Sequence, residues 1–202
     1  MITLVDYGLG NIQAFVNIYK RLGIPCCIAK DADHLLEASC LILPGVGAFD
    51  WAMQQLEASG MRMVLDDLVL NQNVPVLGIC VGMQIMSNHS EEGKLAGLGW
   101  IQGKVKKFDS YLFSTKTSLP HMGWNDVKHK VHPLFANISD PRFYFLHSYY
   151  FSPESPDQIL AEAHYGKHFA ASVGNKNIFG VQFHPEKSHH WGVQLLKNFA
   201  EF

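Results

Sequence analysis

The sequence lacks several features that would point to particular classes of protein. Its 202 residues carry 16 basic and 18 acidic side chains, so the net charge of −2 gives no electrostatic basis for binding nucleic acid. No apolar run is long enough to cross a bilayer, and the run that begins at Met1 stops at Asp6 without a basic leader. We therefore expect a cytoplasmic protein with neither a nucleic acid nor a membrane as partner.

Cysteine is also scarce. The four cysteines, Cys26, Cys27, Cys40 and Cys80, show neither the spacing of a zinc site nor that of a disulfide framework, so we expect no metal and a reducing compartment. Cys26 and Cys27 are interpreted as packing residues of a strand. Internal repeats, linkers and low-complexity segments are missing too, which predicts one domain over residues 1–202.

Cys80 differs from the other cysteines because glycines flank it. The segment Gly78-Ile79-Cys80-Val81-Gly82 is the sulfur version of the nucleophile elbow, in which the attacking residue occupies a strained turn between a strand and a helix. Val74–Leu77 is suited to a buried strand, and the residues from Val81 onward to a helix. Cys80 would then lie at a helix start, where exposed amides favour the reactive thiolate.

A second polar cluster, His184-Pro185-Glu186, follows an apolar run over residues 177–183. Residues two apart on an extended segment face the same side, so we place His184 and Glu186 on this last strand, with the carboxylate behind the imidazole. The other ring nitrogen would then face a thiol. Taken singly, Cys80 is interpreted as a buried structural thiol and His184 as a core histidine. Together with Glu186 they predict a Cys-His-Glu catalytic triad.

The order of apolar runs predicts an α/β fold. Short β-rich runs alternate with helical patterns in the first half, which indicates a central, mostly parallel sheet flanked by helices. From Trp100 onward, strand-like runs follow one another with hairpin-like spacing, which indicates an antiparallel extension of the same domain. We expect one strand over Phe143–Phe151 and a final helix over Trp191–Phe202.

Several motifs resemble a known family. Gly78–Gln84 together with Phe183–Glu186 is similar to the triad glutamine amidotransferases. Further segments narrow the resemblance to the glutaminase subunits of imidazole glycerol phosphate synthase, from the first strand to the final helix: Asp6–Asn11, Pro44–Gly47, Pro120–Asn125 and His184–Ser188. The resemblance implies a single-domain glutamine amidotransferase fold. It also implies hydrolysis of glutamine through a thioester on Cys80, without a cofactor, and delivery of the ammonia to a partner enzyme of histidine biosynthesis.

Roles for individual residues complete these expectations. The first candidate for an oxyanion donor is the amide of Val81 at the helix start, and the resemblance implies the amide of Val46 as the second. By resemblance, the substrate-binding residues are Gly47, Gln84, Glu92, Ser148 and Tyr149. The partner is a separate (β/α)8 cyclase that would form a heterodimer with this chain, and the residues implied near it are Asn11, Trp124, Tyr144 and Lys187. His121 and His147 are interpreted as structural.

Two alternatives stay open. Ser188–Gly192 departs from the small-residue-rich sequence usual in the histidine-pathway subunit, which leaves a paralogous glutaminase subunit that supplies ammonia to a sugar amidotransferase in surface-polysaccharide assembly. The other alternative is a catalytically silent, partner-binding module with the same fold. A metal site at His189 and His190 is disfavoured, because adjacent residues on a helix point in different directions.

Overall fold

The computed structural model describes residues 1–109 and 118–202, and these residues form twelve strands and five α-helices. The strands are β1 (Ile2–Val5), β2 (Cys26–Ala29), β3 (Leu41–Gly45), β4 (Val76–Cys80), β5 (His89–Ser90), β6 (Gly103–Lys107), β7 (His121–His129), β8 (Arg142–His147), β9 (Tyr149–Pro153), β10 (Ile159–Tyr165), β11 (Lys167–Asn175) and β12 (Ile178–Val181). The helices are α1 (Ile12–Leu22), α2 (Phe49–Ala58), α3 (Arg62–Asp66), α4 (Val81–Gln84) and α5 (His189–Phe199).

Nine strands form one mixed sheet in the order β2-β1-β3-β4-β12-β11-β10-β7-β8. The strands from β2 to β12 run parallel to one another. From β12 to β8 each neighbour is antiparallel to the last. The predicted parallel sheet and its antiparallel extension are therefore confirmed. Strands β5, β6 and β9 form a separate three-stranded sheet.

Helix α1 shows how local sequence sets the boundaries of an element. The Asn11 side chain accepts a hydrogen bond from the Ala14 amide at the helix start, and Gly23 ends the helix in the left-handed conformation at φ 69°. Its apolar face is buried, and the Tyr19 hydroxyl donates to the carbonyl of Leu196 in α5 at 3.1 Å. This contact fixes the first helix against the last.

Two strand expectations were wrong. Strand β12 ends at Val181, and residues Pro185–Lys187 form a 3-10 turn, so His184 and Glu186 do not lie on an extended strand. Proline lacks the amide that a continued ladder requires but fits the first position of a helical turn. The strand expected over Phe143–Phe151 is interrupted at Ser148, because its two halves pair with different strands, β8 with β7 and β9 with β6.

Helix α4 is shorter than the sequence suggests. It spans only one turn, because the chain folds back after Gln84 and the carbonyls of Ile85 and Met86 accept hydrogen bonds from the amides of Leu98 and Ile101. Helix α3 is likewise short and continues into a π-helical turn over Asp67–Asn71. A four-residue helix has a weak dipole, so the electrostatic environment of Cys80 depends mainly on neighbouring side chains.

Candidate active site

The nucleophile elbow is present and strained. Cys80 has φ 54° and ψ −112°, a combination that non-glycine residues rarely adopt. The flanking glycines are required by close approach: a Cβ on Gly78 would lie 2.7 Å from the Gly82 carbonyl oxygen, and one on Gly82 would lie 1.9 Å from the carbonyl oxygen of Leu43. The strand before Cys80 and the turn after it thus contact one another through bare backbone.

Gly45, at the end of β3, belongs to the same contact. Its Cβ would lie 2.3 Å from the Gly82 amide nitrogen, so glycine is needed here for packing, whereas the left-handed conformation occurs at Gly47, with φ 89°. This packing sets the segment that contains Val46 and Gly47 beside the start of α4.

The imidazole of His184 lies between a thiol and a carboxylate. Its Nδ1 donates to Glu186 Oε1 at 2.9 Å, and Cys80 is its other side-chain hydrogen-bond partner. The side chains of His184 and Glu186 are 6% and 5% exposed. The 3-10 turn, and not a strand, places Glu186 behind the ring. The predicted contact between the two side chains is therefore present, although the predicted backbone is not.

The protonation of His184 follows from these partners. Burial alone would lower its pKa, but hydrogen bonds to Cys80 and Glu186, together with their charges, raise the pKa to about 10. The hydrogen bonds and nearby charges therefore favour the protonated imidazole over the neutral one. A protonated imidazole beside a cysteine is the arrangement that generally activates a thiol as a nucleophile.

Ser188 holds the turn that contains His184 and Glu186. Its hydroxyl donates to the His184 carbonyl at 2.6 Å and accepts a hydrogen bond from the Tyr144 amide at 3.0 Å. The His184 amide in turn donates to the Tyr144 carbonyl at 2.8 Å. The base is thereby fixed to strand β8 through backbone and hydroxyl groups.

A cavity of about 330 Å³ opens above Cys80. The predicted residues that line it are Val46, Gly47, Cys80, Val81, Gln84, Glu92, Ser148, Tyr149, His184 and Lys187. Glu186 does not reach the cavity, and neither do Asn11, Trp124 and Tyr144. The structure therefore brings together the predicted nucleophile, base, oxyanion and substrate residues, which come from five separate segments of the chain.

Two of the substrate candidates have constrained side chains. Gln84 Nε2 donates to the Tyr149 carbonyl at 3.1 Å and to Gln182 Oε1 at 3.0 Å, so both of its hydrogens are used and Oε1 is left as an acceptor toward the cavity. Glu92 Oε2 accepts from the Phe49 amide at the start of α2, at 2.9 Å. The carboxylate of Glu92 is thereby oriented by backbone rather than left free in solvent.

Sequence reasoning missed His147, Pro120 and Leu146 as cavity residues. His147 Nδ1 donates to the Tyr149 carbonyl at 2.8 Å, so its Nε2 accepts from His121 Nδ1 at 3.0 Å. Burial lowers the pKa of His121 to about 4, and burial together with the neighbouring histidine lowers that of His147 to about 3. Both rings are neutral at pH 7. The two rings contact one another in the interior, and His147 also forms part of the cavity wall.

Three of the candidate partner residues, Trp124, Tyr144 and Lys187, lie around one exposed aromatic surface. Trp124, 38% exposed, stacks on His189 with ring centroids 5.0 Å apart, and its ring meets that of Tyr144 edge to face. The Lys187 ammonium lies 5.7 Å from the centroid of the Tyr144 ring. Asn11 caps α1 and follows Gly10, which packs against Pro44. His189 belongs to Ser188–Gly192, the segment whose sequence differs from that usual in the histidine-pathway subunit. This segment thus contacts the predicted interface directly.

Within residues 1–109 and 118–202, no group of three or more histidine, cysteine, aspartate or glutamate side chains is arranged to hold a metal ion. Over the same residues, no helix has the length and apolar character that crossing a membrane requires.

Known proteins resemble this chain along its whole length. Residues 3–201 match the family described as glutamine amidotransferase class-I. The chain is 57% identical to "Imidazole glycerol phosphate synthase subunit HisH" of Bdellovibrio bacteriovorus, covering 100% of both chains, and 50% identical to that of Leptospira interrogans, covering 99% of both. A crystal structure described as a glutamine amidotransferase covers 99% of this chain and 97% of its own with a TM-score of 0.77; at 17% identity it supports the fold alone. The chain therefore belongs to the class-I glutamine amidotransferase family, among the HisH subunits of imidazole glycerol phosphate synthase.

Proposed function

We propose that this chain is the glutaminase subunit of an imidazole glycerol phosphate synthase, which hydrolyses glutamine and passes the ammonia to a cyclase partner in histidine biosynthesis. The observation that supports this most directly is the buried Cys80–His184–Glu186 arrangement, in which Cys80 and His184 line the cavity and Glu186 lies behind the imidazole. A thiolate beside an imidazolium is the form of a cysteine nucleophile that attacks carbonyl carbon.

The reaction has two halves. The Cys80 thiolate attacks the side-chain amide carbon of glutamine, and the tetrahedral species collapses to a thioester as His184 protonates the departing ammonia. The imidazole, now neutral, takes a proton from water, which attacks the thioester and releases glutamate. Glu186 accepts the hydrogen bond from His184 Nδ1 throughout the reaction and stabilises the charged ring.

The oxyanion of both tetrahedral species needs amide donors. The amide of Val81 follows the nucleophile directly, and that of Val46 belongs to the loop packed against α4 through Gly45. Loss of one such donor typically costs about a hundred- to a thousandfold in rate. Val46→Pro removes one donor, and we expect a loss of this size in glutaminase turnover, measured with the partner present.

Substrate recognition uses the rest of the cavity wall. Gln84 presents an acceptor oxygen and Glu92 a carboxylate, both suited to the ammonium group of glutamine. Gly47, Ser148 and Tyr149 hold the remainder of its amino-acid portion. These assignments account for a cavity that combines one anionic group with backbone amides.

The partner is a separate (β/α)8 cyclase, and the two chains form a heterodimer in the cytoplasm. The proposed contact residues are Asn11, Trp124, Tyr144 and Lys187. Apolar and aromatic side chains are exposed here beside the cavity, on neighbouring strands β7 and β8: Met122 at 66%, Trp124 at 38% and Leu146 at 38%. Aromatic residues with a polar edge are typical anchors of protein interfaces.

The decisive experiment replaces Cys80 with alanine and assays the heterodimer with glutamine and, separately, with ammonium salts. We expect glutamine-dependent product formation to disappear while ammonia-dependent formation persists, because Cys80 handles glutamine alone. Glutamine hydrolysis that survives in the variant would exclude Cys80 as nucleophile. A wild-type chain that hydrolyses no glutamine with its partner would indicate the silent module. A sugar amidotransferase that co-purifies with the chain would indicate the paralogous pathway.

A further inference from the structure

Gln182 is a fully buried polar side chain, at 0% exposure, that the proposed mechanism does not use. It lies just beyond β12, two residues before His184, and its amide nitrogen Nε2 is 3.7 Å from the sulfur of Cys80. That separation suits a hydrogen bond to the large sulfur atom. Burying a polar amide without hydrogen-bond partners is unfavourable. The buried amide of Gln182 therefore needs partners, and the sulfur of Cys80 is within reach of its nitrogen.

The direction of this contact is fixed by the groups around it. The Tyr149 carbonyl can only accept, so Gln84 must present its nitrogen there, and the second hydrogen on that nitrogen goes to Gln182 Oε1. With Oε1 engaged, Gln182 must present Nε2 to the sulfur. Rotating the amide by half a turn would break the bond from Gln84 and aim an oxygen at the sulfur.

We propose that Gln182 is a further catalytic residue: its side-chain N–H donates to the Cys80 sulfur, stabilises the thiolate and holds it for attack. The proposal rests on the proposed function only in taking Cys80 as the nucleophile. A hydrogen bond to the charged form of an acid favours that form. It adds a neutral donor to the imidazolium of His184, so that two groups from the segment after β12 contact one sulfur.

Other charged or titratable groups face the sulfur and must be held constant in any test. They are His184 from the turn after β12, Tyr7 from the loop after β1, and Glu92, His147, Tyr149 and Lys187 from the cavity wall. Tyr7 is buried and donates to the Pro44 carbonyl at 2.7 Å; burial and the neighbouring sulfur raise its pKa. None of these groups is altered by a substitution at Gln182.

The test compares Gln182→Met, which keeps the volume and removes the donor, with Gln182→Glu, which keeps the acceptor for Gln84 and turns an oxygen to the sulfur. Ser172→Ala is the matched control, because Ser172 is equally buried and its hydroxyl donates to the Gly180 carbonyl of β12 at 2.8 Å without contacting Cys80. Each variant is first checked for native circular dichroism and a cooperative urea transition.

The main readout is the rate at which iodoacetamide alkylates Cys80 as a function of pH, followed on its own peptide by mass spectrometry. We expect the midpoint of this profile to rise by about one pH unit in Gln182→Met, and further in Gln182→Glu, with Ser172→Ala unchanged. Glutaminase kcat with the partner should fall about ten- to a hundredfold, with a smaller change in KM.

A folded Gln182 variant with the wild-type alkylation profile would overturn the proposal, as would an equal shift in Ser172→Ala. If Gln182→Met does not fold, Gln182→Glu decides by the same criterion. Alkylation needs neither glutamine nor the partner. A shifted profile in a chain that hydrolyses no glutamine would therefore support this assignment while refuting the proposed function.

Discussion

The two halves of the nine-stranded sheet place functional groups by different means. In the parallel half, the backbone itself is packed: Gly45, Gly78 and Gly82 let β3, β4 and α4 touch without side chains between them. In the antiparallel half, side chains make the contacts: a buried histidine pair lies inside and an aromatic surface lies outside. The proposed oxyanion donors therefore lie where backbone packs on backbone, and the proposed partner surface lies where side chains are exposed.

The first way to break this comparison is a single methyl group. Gly82→Ala should destabilise the chain by roughly 3 kcal/mol or more, because its Cβ would lie 1.9 Å from the Leu43 carbonyl oxygen and neither backbone segment can move aside. Urea denaturation measures the loss. The control from the antiparallel half is Gly123→Ala, whose Cβ meets nothing within 4 Å, so it should lose only the smaller free energy that comes from backbone strain at φ 126°. Equal losses at both positions would contradict the distinction.

The second prediction concerns the carboxylate behind the base. Glu186→Ala should keep the fold and lower glutaminase kcat about a hundred- to a thousandfold, because the imidazole loses both its orientation and its counter-charge. Turnover of the purified heterodimer is the measurement. Glu162→Ala, an exposed carboxylate on β10, is the control and should have full activity. Unchanged turnover in Glu186→Ala would show that this buried carboxylate does not support the base.

The sequence predicted most of the fold because its patterns are local. Alternating β-rich and helical runs predicted the parallel strands, and local capping residues, Asn11 and Gly23, lie directly at the two ends of α1. The nucleophile elbow was readable too, since the glycines on both sides of Cys80 reflect a close backbone approach that allows no Cβ.

What the sequence did not predict depends on contacts between distant segments. The interruption at Ser148 arises because β8 and β9 choose partners in different sheets, and a continuous apolar run gives no sign of this. The 3-10 turn brings the side chains of His184 and Glu186 together, as an extended strand would also do for residues two apart. Their contact was therefore predicted from the wrong backbone conformation. The contacts of Gln182 could not be predicted from local sequence, because its partners, Gln84 and Cys80, are about a hundred positions away.

The third prediction concerns the pH dependence of folding stability, which should have opposite signs for the histidine pair of the antiparallel half and for His184. The pKa values of His121 and His147 are lowered to about 4 and about 3, so the unfolded chain takes up protons near pH 6.5 while the folded chain does not. Stability should be full above pH 6.5 and fall toward pH 4, by on the order of 3 kcal/mol for each histidine. The pKa of His184 is raised to about 10, so its contribution should be present below pH 6.5 and lost as pH rises toward 10.

Urea midpoints from pH 4 to 10 measure both limbs. The double variant His121→Gln, His147→Gln should flatten the acid limb and leave the alkaline limb as in the wild type. An acid limb of unchanged steepness would mean that other groups, and not the histidine pair, take up the protons.

The smallest expected effect concerns the outer surface of the antiparallel half. Trp124→Ala should weaken binding to the proposed cyclase partner about ten- to a hundredfold, because an indole that is 38% exposed on the proposed contact surface offers a large apolar area to bury on binding. Titration calorimetry with the purified partner measures the affinity. Leu36→Ala, at a residue 64% exposed that follows the 3-10 turn Asp33–Leu35 in the other half, is the control and should bind normally. His189→Ala should give an intermediate loss, because it removes the ring on which Trp124 stacks but leaves the indole in place. If Trp124→Ala binds as tightly as Leu36→Ala, the partner contacts another face, and the aromatic surface has to be explained by packing within this chain alone.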